Sequence, residues 1–433
     1  MSTAPALADA SPSDSPHYLR AVSDMSQRCA VVAQAAIYTD NGIKLVEKGA
    51  RIDGRLYDRL VQHKLREPID QHLSVDNVVD TAALTAVAQQ LIQSQPLPRL
   101  LVQALGSSER LVAPLRSMPL PSTMAFKLTV MREQHPSLFA HSLQMMLVAV
   151  FLGVKSGLSE AECVPLAAAA LLHDVGVLHM GPAWQDPQHK VTGAARKHLV
   201  AHPITAMLLV RAAQVYLRPV ELAVLEHHER MDGTGYPRGL QGADISPLGR
   251  ILLLAEVVAA FYEKYTDMPA QQLSLVLRLN HRKFPPALVA YVLPLLQDES
   301  VRGEALAPLG ADASRHIESV ANALAHWERI TQSAPTQALE PDQPLGFVDL
   351  RLRALQKVLL EAGAHPRQQI DLLAQLQGDT AGLAEVAFVG REALWQMQTI
   401  ANACQRRWPP GQERLDTVEA AVVDWCDAVL KQA

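Results

Sequence analysis

The sequence predicts a mainly α protein, with an all-α central domain behind a small N-terminal α/β module and ahead of a C-terminal helical segment. Three observations predict it. From about residue 118 to 330, apolar residues recur at helical spacing with few β-branched alternations. Before that block, two strand-like runs flank Asp40-Asn41-Gly42, and Asn-Gly between such runs is a strong hairpin signal. After it, Leu352, Leu355 and Leu359, then Leu415, Val418, Val422, Trp425 and Val429, recur at helical spacing and read as packing stripes.

The elements follow in chain order. Residues 1–17 open with MSTAPALADASPSDSP, rich in Ser, Pro, Ala and Asp. Without a basic stretch leading into an apolar core, this reads as a disordered tail rather than a signal peptide, and a cytoplasmic protein is expected. The α/β accessory module is expected over residues 18–117. There CAVVAQAAIYT and IKLVEKGARI supply the hairpin, and DGRLYDRLVQHKL supplies a helix with Asp53 as N-cap and Leu56, Leu60 and Leu65 on one face. Helices continue toward Leu105. The all-α domain is expected over residues 118–332, a Pro-bearing linker over 333–345 and the helical segment over 346–433.

Composition narrows the function classes. At 49% hydrophobic and 19% charged, the 433 residues can bury a sizeable core. The longest apolar stretches, near Leu143 to Val154 and Ile251 to Phe261, are too short or are broken by Gln144, Arg250 and Glu256, so no membrane span of about 20 residues is expected. Cys29, Cys163, Cys404 and Cys426 lack any CxxC spacing, which argues against a zinc ribbon and a disulfide framework. With 39 basic and 44 acidic residues the net charge is −5 and no basic run stands out, so duplex nucleic acid is not an expected partner. A small anionic ligand needs only a local pocket.

Chemistry concentrates in the all-α domain. In order come His141 in FAHSLQMM, His173-Asp174 in LLHDVG, His202 in VAHPITAM, His227-His228-Glu229 in LEHHERMDGTGYP, and Glu256 in LLLAEVVAAF. Each lies in or beside an apolar helical run, so several point inward, and buried polar side chains need partners. A pair of divalent metals is the economical shared centre. Imidazole and carboxylate ligands suit Fe, Mn, Zn or Ni, and Asp174 can bridge two ions roughly 3.5–4 Å apart. Metals so held lower the pKa of a water and polarise a phosphoryl oxygen, which gives phosphodiester hydrolysis. Adjacent His227 and His228 diverge by about 100° on a helix, so they share a centre only near a helix end or by serving different ions.

His173-Asp174, His202 and His227-His228-Glu229 leading into Asp232-Gly233-Thr234-Gly235-Tyr236-Pro237 resemble the HD-GYP family of metal-dependent phosphohydrolases, over about residues 120 to 300. The resemblance implies an all-α HD-type domain that binds iron or manganese and hydrolyses cyclic di-GMP to the linear dinucleotide or GMP. It implies that His141, His173, Asp174, His202, His227 and His228 are metal ligands, with Glu256 where the family has its last metal-binding Asp. Asp174 carries the catalytic role. Gly235, Tyr236 and Pro237 would shape the wall beside the substrate.

The same resemblance exposes departures. Val177 stands where the family pattern HDxGK has Lys, and Ser137 where some members have a third-metal Glu, so two metals are expected. Ala259 replaces an Asp, and Tyr265 falls where an Arg holds a ligand phosphate. Lost charge-assisted phosphate contacts cost on the order of 1.5–3 kcal/mol each. Lys264, Arg230, Arg238 and Arg250 are candidate replacements, with Arg230 and Arg238 best placed because they bracket the Gly-Tyr-Pro loop. The expectation is therefore a weakened cyclic di-GMP phosphodiesterase. The alternative is a catalytically impaired nucleotide sensor or adaptor that meets a second copy or a signalling protein through its flanking modules.

Overall fold

A computed structural model of the chain describes residues 14–181, 193–265, 269–296, 312–361, 363–376, 379–409 and 417–431, which are mainly helical. The chain divides into a larger unit, Met1–Thr266 with Arg282–Leu295, and a smaller one, Asp267–His281 with Leu296–Ala433.

In the larger unit, helix α1 (Pro16–Met25) starts two residues inside the expected tail, because Ser15 caps it by accepting from the Tyr18 amide at 3.1 Å. Residues 1–13 of that tail lie outside the described residues. Strands β2 (Ile37–Tyr38) and β3 (Lys44–Val46) form the hairpin expected around Asn41-Gly42, and Gly42 adopts a φ of 81° in its turn. The first strand-like run is split. Its earlier part, β1 (Val31–Ala33), pairs antiparallel with β4 (Leu73–Val75) in a second small sheet. Helix α2 (Gly54–Val61) begins at the expected cap, Asp53 accepting from the Arg55 and Leu56 amides at 3.0 Å each.

Helices α3 (Thr81–Ser94), α4 (Pro96–Leu105), α5 (Glu109–Ser117) and α6 (Ser122–Gln134) lead into the helices that matter for function: α7 (Pro136–Lys155), α8 (Glu160–Leu172), α9 (Gly193–Ala212), α10 (Arg218–Glu226) and α11 (Pro247–Lys264). Helix α7 packs on α8 and α11, and α10 on α9 and α11. Two spans, Pro136–Lys155 and Glu160–His179, are long and apolar enough by length and composition to cross a membrane, contrary to the sequence expectation. Their windows are 83% and 72% buried inside the protein, so the apolar character is that of core helices.

The accessory module is not a separate unit, because α1 packs against α6 and the 3-10 turn Val175–His179. The other boundary also differs. Helix Ala313–Ser333, expected in the all-α domain, belongs to the smaller unit, where Val320, Leu324, Trp327 and Ile330 share a core with Leu352, Leu355 and Leu359. Leu345, placed by the sequence in the linker, is buried in that core too. The packing stripes behave as expected, with Val422, Trp425 and Val429 buried and the Trp425 ring edge-on to Trp327 at 4.9 Å. Leu415 lies outside the described residues.

Candidate metal centre

Helix ends and one proline aim the histidines. His173 caps the C-terminus of α8 and His227 that of α10, where the last carbonyls lack intrahelical donors. Each ring uses Nδ1–H to satisfy one, His173 donating to Ala170 O and His227 to Val224 O, both at 2.7 Å. His202 does the same inside α9, because Pro203 has no N–H to offer Leu199 O and the His202 Nδ1–H takes that carbonyl instead. A carbonyl only accepts, so all three rings carry hydrogen on Nδ1 and turn Nε2 inward.

Those Nε2 atoms converge on Asp174. Its Oδ1 lies 3.1 Å from His202 Nε2 and 3.6 Å from His227 Nε2, while Oδ2 lies 3.3 Å from His173 Nε2. His141, from the middle of α7, places Nε2 3.0 Å from Glu256 Oε2, which is also 3.5 Å from His173 Nε2. Two sets of donor atoms result, each gathered within 4.8 Å: Asp174, His202, His227 and His228, and His141, His173 and Glu256. Adjacent His227 and His228 reach one set because the helix ends between them.

Burial and charge divide the protons. Burial lowers His227 and His228, and neighbouring imidazoles push them further, well below the ordinary histidine range. Burial acts the same way on His141 and His173, but Glu256 and Glu263 outweigh it at the first and Asp174 at the second, so both are raised. Burial would raise Asp174 and Glu256. The charges of His173 and His141 outweigh it, holding Asp174 well below its usual range and Glu256 at about 2.

The donor set fits divalent ions of the imidazole-and-carboxylate class. Two atoms at its heart, His173 Nε2 and Asp174 Oδ1, are buried and make no hydrogen bond. Buried polar atoms left bare cost about 1–3 kcal/mol each, and a cation between the two sets would satisfy both.

The loop beside the centre is built by carboxylates. Glu229 is fully buried, and its two oxygens accept from the Arg238 and Leu240 amides at 2.8 and 2.9 Å. Glu226 pairs with the Arg238 guanidinium and accepts from the Ser246 amide at 2.8 Å. Gly235 lies so close to the chain before it that a Cβ would sit 2.4 Å from Arg230 N, so only glycine fits. The Tyr236 ring then packs tilted against His228 at 4.7 Å, and Tyr236 is joined to Pro237 by a cis peptide bond.

The sequence candidates separate accordingly. His141, His173, Asp174, His202, His227, His228 and Glu256 come together, with Tyr236 beside them. Arg230 is largely buried, and Glu256 is the first of the acids whose charge partly offsets that burial. Arg238 is occupied by Glu226, and Arg250 by the carbonyls of Ile245 and Ala243. Lys264 lies over the Tyr265 ring, Val177 is buried and Ser137 is exposed. Glu263, which meets His141 Nδ1 at 2.9 Å, was missed. Its signal was the spacing: seven residues after Glu256 is two turns along the same face of α11.

Residues 128–281 match the HD domain family. The chain is 26% identical over 256 residues to the 3'3'-cGAMP-specific phosphodiesterase 3 of Vibrio cholerae serotype O1, covering 55% of each. It is 28% identical over 141 residues to the cyclic di-GMP phosphodiesterase PdeB of Borreliella burgdorferi, covering 31% of this chain and 37% of that protein. It is 34% identical over 114 residues to the cyclic di-GMP phosphodiesterase response regulator RpfG of Xanthomonas campestris, covering 26% of this chain and 30% of that protein. The chain thus spans about half or less of the length of these curated relatives.

Proposed function

We propose that this chain, an HD-GYP family protein whose residues 128–281 match the HD domain family, is a metal-dependent phosphodiesterase that hydrolyses cyclic di-GMP or a closely related cyclic dinucleotide. The observation that carries the proposal is the pair of adjoining donor sets with Asp174 between them, one oxygen toward each, and bare buried atoms at the junction.

His202, His227 and His228 would hold one ion, His141, His173 and Glu256 the other, and Asp174 both. Iron or manganese is the proposed metal. When bound, such ions supply a water acidic enough to attack near neutral pH and polarise the phosphoryl oxygens. The chain's own groups do the rest. The Nδ1–H bonds of His173, His202 and His227 lock each ring with its lone pair inward. Arg230, whose guanidinium donates to Glu229 O at 2.8 Å, is the cation proposed to meet a phosphate, and Gly235, Tyr236 and Pro237 would wall the site, with the Tyr236 ring packed on His228. Arg238, bonded to Glu226, braces that wall rather than the substrate.

A second reading is favoured by two positions. Val177 is buried and Tyr265 packs on Phe261, and neither side chain offers a charge to phosphate. A chain that binds the nucleotide without turnover, as a cytoplasmic sensor or adaptor, has this pattern. Protein loaded anaerobically with Fe(II) or Mn(II) is therefore incubated with cyclic di-GMP and with 3'3'-cGAMP and chromatographed, beside an Asp174→Ala control. Linear product that disappears in the control is the expected result. Unchanged substrate from protein that carries metal would move the assignment to the sensor.

A further inference from the structure

His141 differs from the other inward histidines in what holds its second nitrogen. It sits in mid-helix, where backbone carbonyls are already engaged in the ladder, so the ring must find its Nδ1 partner on another element. That partner is Glu263 of α11, whose oxygens lie 2.9 and 3.1 Å from Nδ1. Ala259, one turn earlier on α11, is too short to reach the ring, so the carboxylate comes from the next turn. Buried Gln144 ties the arrangement together, its amide donating to Glu263 Oε1 at 3.3 Å and to Ala259 O at 3.2 Å.

Resting on the phosphodiesterase reading above, we infer that Glu263 is a positioning residue for the metal ligand His141, steadied by Gln144. Glu256 and Glu263 bracket one imidazole, Glu256 on the Nε2 side facing the centre and Glu263 on the Nδ1 side facing water. The Glu263 side chain is 38% exposed, against 14% for Glu256. Accepting from Nδ1–H, Glu263 fixes the ring plane and the tautomer that leaves the Nε2 lone pair free for a cation. An anionic partner also makes that nitrogen more basic than a carbonyl partner makes the other three rings.

The test is a Mn(II) titration of the full chain by calorimetry, with bound metal counted by elemental analysis, in wild type, Glu263→Gln, Glu263→Ala and Gln144→Leu. Loss of such a partner typically weakens metal affinity by about 10–100-fold. Glu263→Ala should show that loss while still filling at saturating Mn(II). Glu263→Gln keeps an oxygen for Nδ1–H but loses the charge and should lose less affinity than Glu263→Ala, as should Gln144→Leu. Wild-type affinity in Glu263→Ala overturns the inference alone. Glu263→Gln losing a whole equivalent, as Glu263→Ala would then do, overturns it too, making Glu263 a ligand. Wild-type protein that takes up no Mn(II) overturns the metal reading and this inference together.

Discussion

The buried polar cluster around Lys127 closes on itself, whereas the one around Asp174 stays open. Both belong to the larger unit. In the first, the Lys127 ammonium pairs with Asp70, both nearly inaccessible, and the Tyr18 hydroxyl donates to the same carboxylate at 3.3 Å. Asp14 accepts from the Ile69 amide at 2.6 Å, and burial raises its pKa to about 6. The one bare atom there is Nε2 of His179, on a ring that stacks against Tyr18 at 4.7 Å and that burial pushes down to about 3. In the second cluster the bare atoms include an oxygen of an ionised carboxylate set among imidazoles. Polar groups that satisfy one another hold a fold, and buried donor atoms left without hydrogen bonds around a carboxylate have room for a cation.

Substitutions on the two sides should break the comparison if it is wrong. Lys127→Met leaves Asp70 buried without its partner, and unpairing a buried ion pair costs about 3–5 kcal/mol. Denaturant unfolding should show that loss, while Asp174→Asn, which removes a charge that His173 favours but that makes no hydrogen bond at Oδ1, should cost metal-free stability clearly less. Equal destabilisation by both would make the Asp174 cluster a structural one.

Gly176→Ala sharpens the contrast at the turn that links the clusters. A Cβ there would fall 2.3 Å from His202 O and 2.7 Å from Ala206 N, both backbone atoms. Overpacking of this kind costs about 1–3 kcal/mol, and pushing α9 away moves His202 with it. Thermal unfolding should show the first effect and a weaker Mn(II) titration the second.

The smallest effect is on pH dependence. The folded pKa of His179, about 3, lies below the ordinary histidine value, so its contribution to stability is complete above about 6.5 and is lost as the pH falls from there toward 3. His179→Phe keeps a ring against Tyr18 and removes the titration. Unfolding curves should coincide with wild type at pH 8 and show a gentler loss at pH 5. Parallel curves at both pH values would mean that His179 does not titrate with unfolding.

The candidate ligand set was legible because identity and spacing alone bring it out: His-Asp at a helix end, paired histidines before a Gly-rich turn, and a carboxylate in an apolar run. Other carboxylates were illegible for the same reason in reverse. Glu226 and Glu263 look like ordinary helix acids, and only the fold shows that the first braces the loop, as Glu229 does, and that the second meets His141. Arg230 and Arg238 looked equivalent, until the fold paired Arg238 with the Glu226 carboxylate and Arg230 with only the Glu229 carbonyl.

The sequence by itself determined the mainly helical class, the hairpin, the Asp53 cap and which histidines and carboxylates to look for as candidate ligands, since each rests on local chemistry or on a spacing along one chain. Only the tertiary structure decided where one unit ends and the next begins. Apolar periodicity is the same whichever neighbour a helix packs against, so Ala313–Ser333 carries no local mark of the core it joins. The same holds for a buried charge. Its role is set by which partners the fold brings within about 3 Å, and that is a property of the packing, not of the residue.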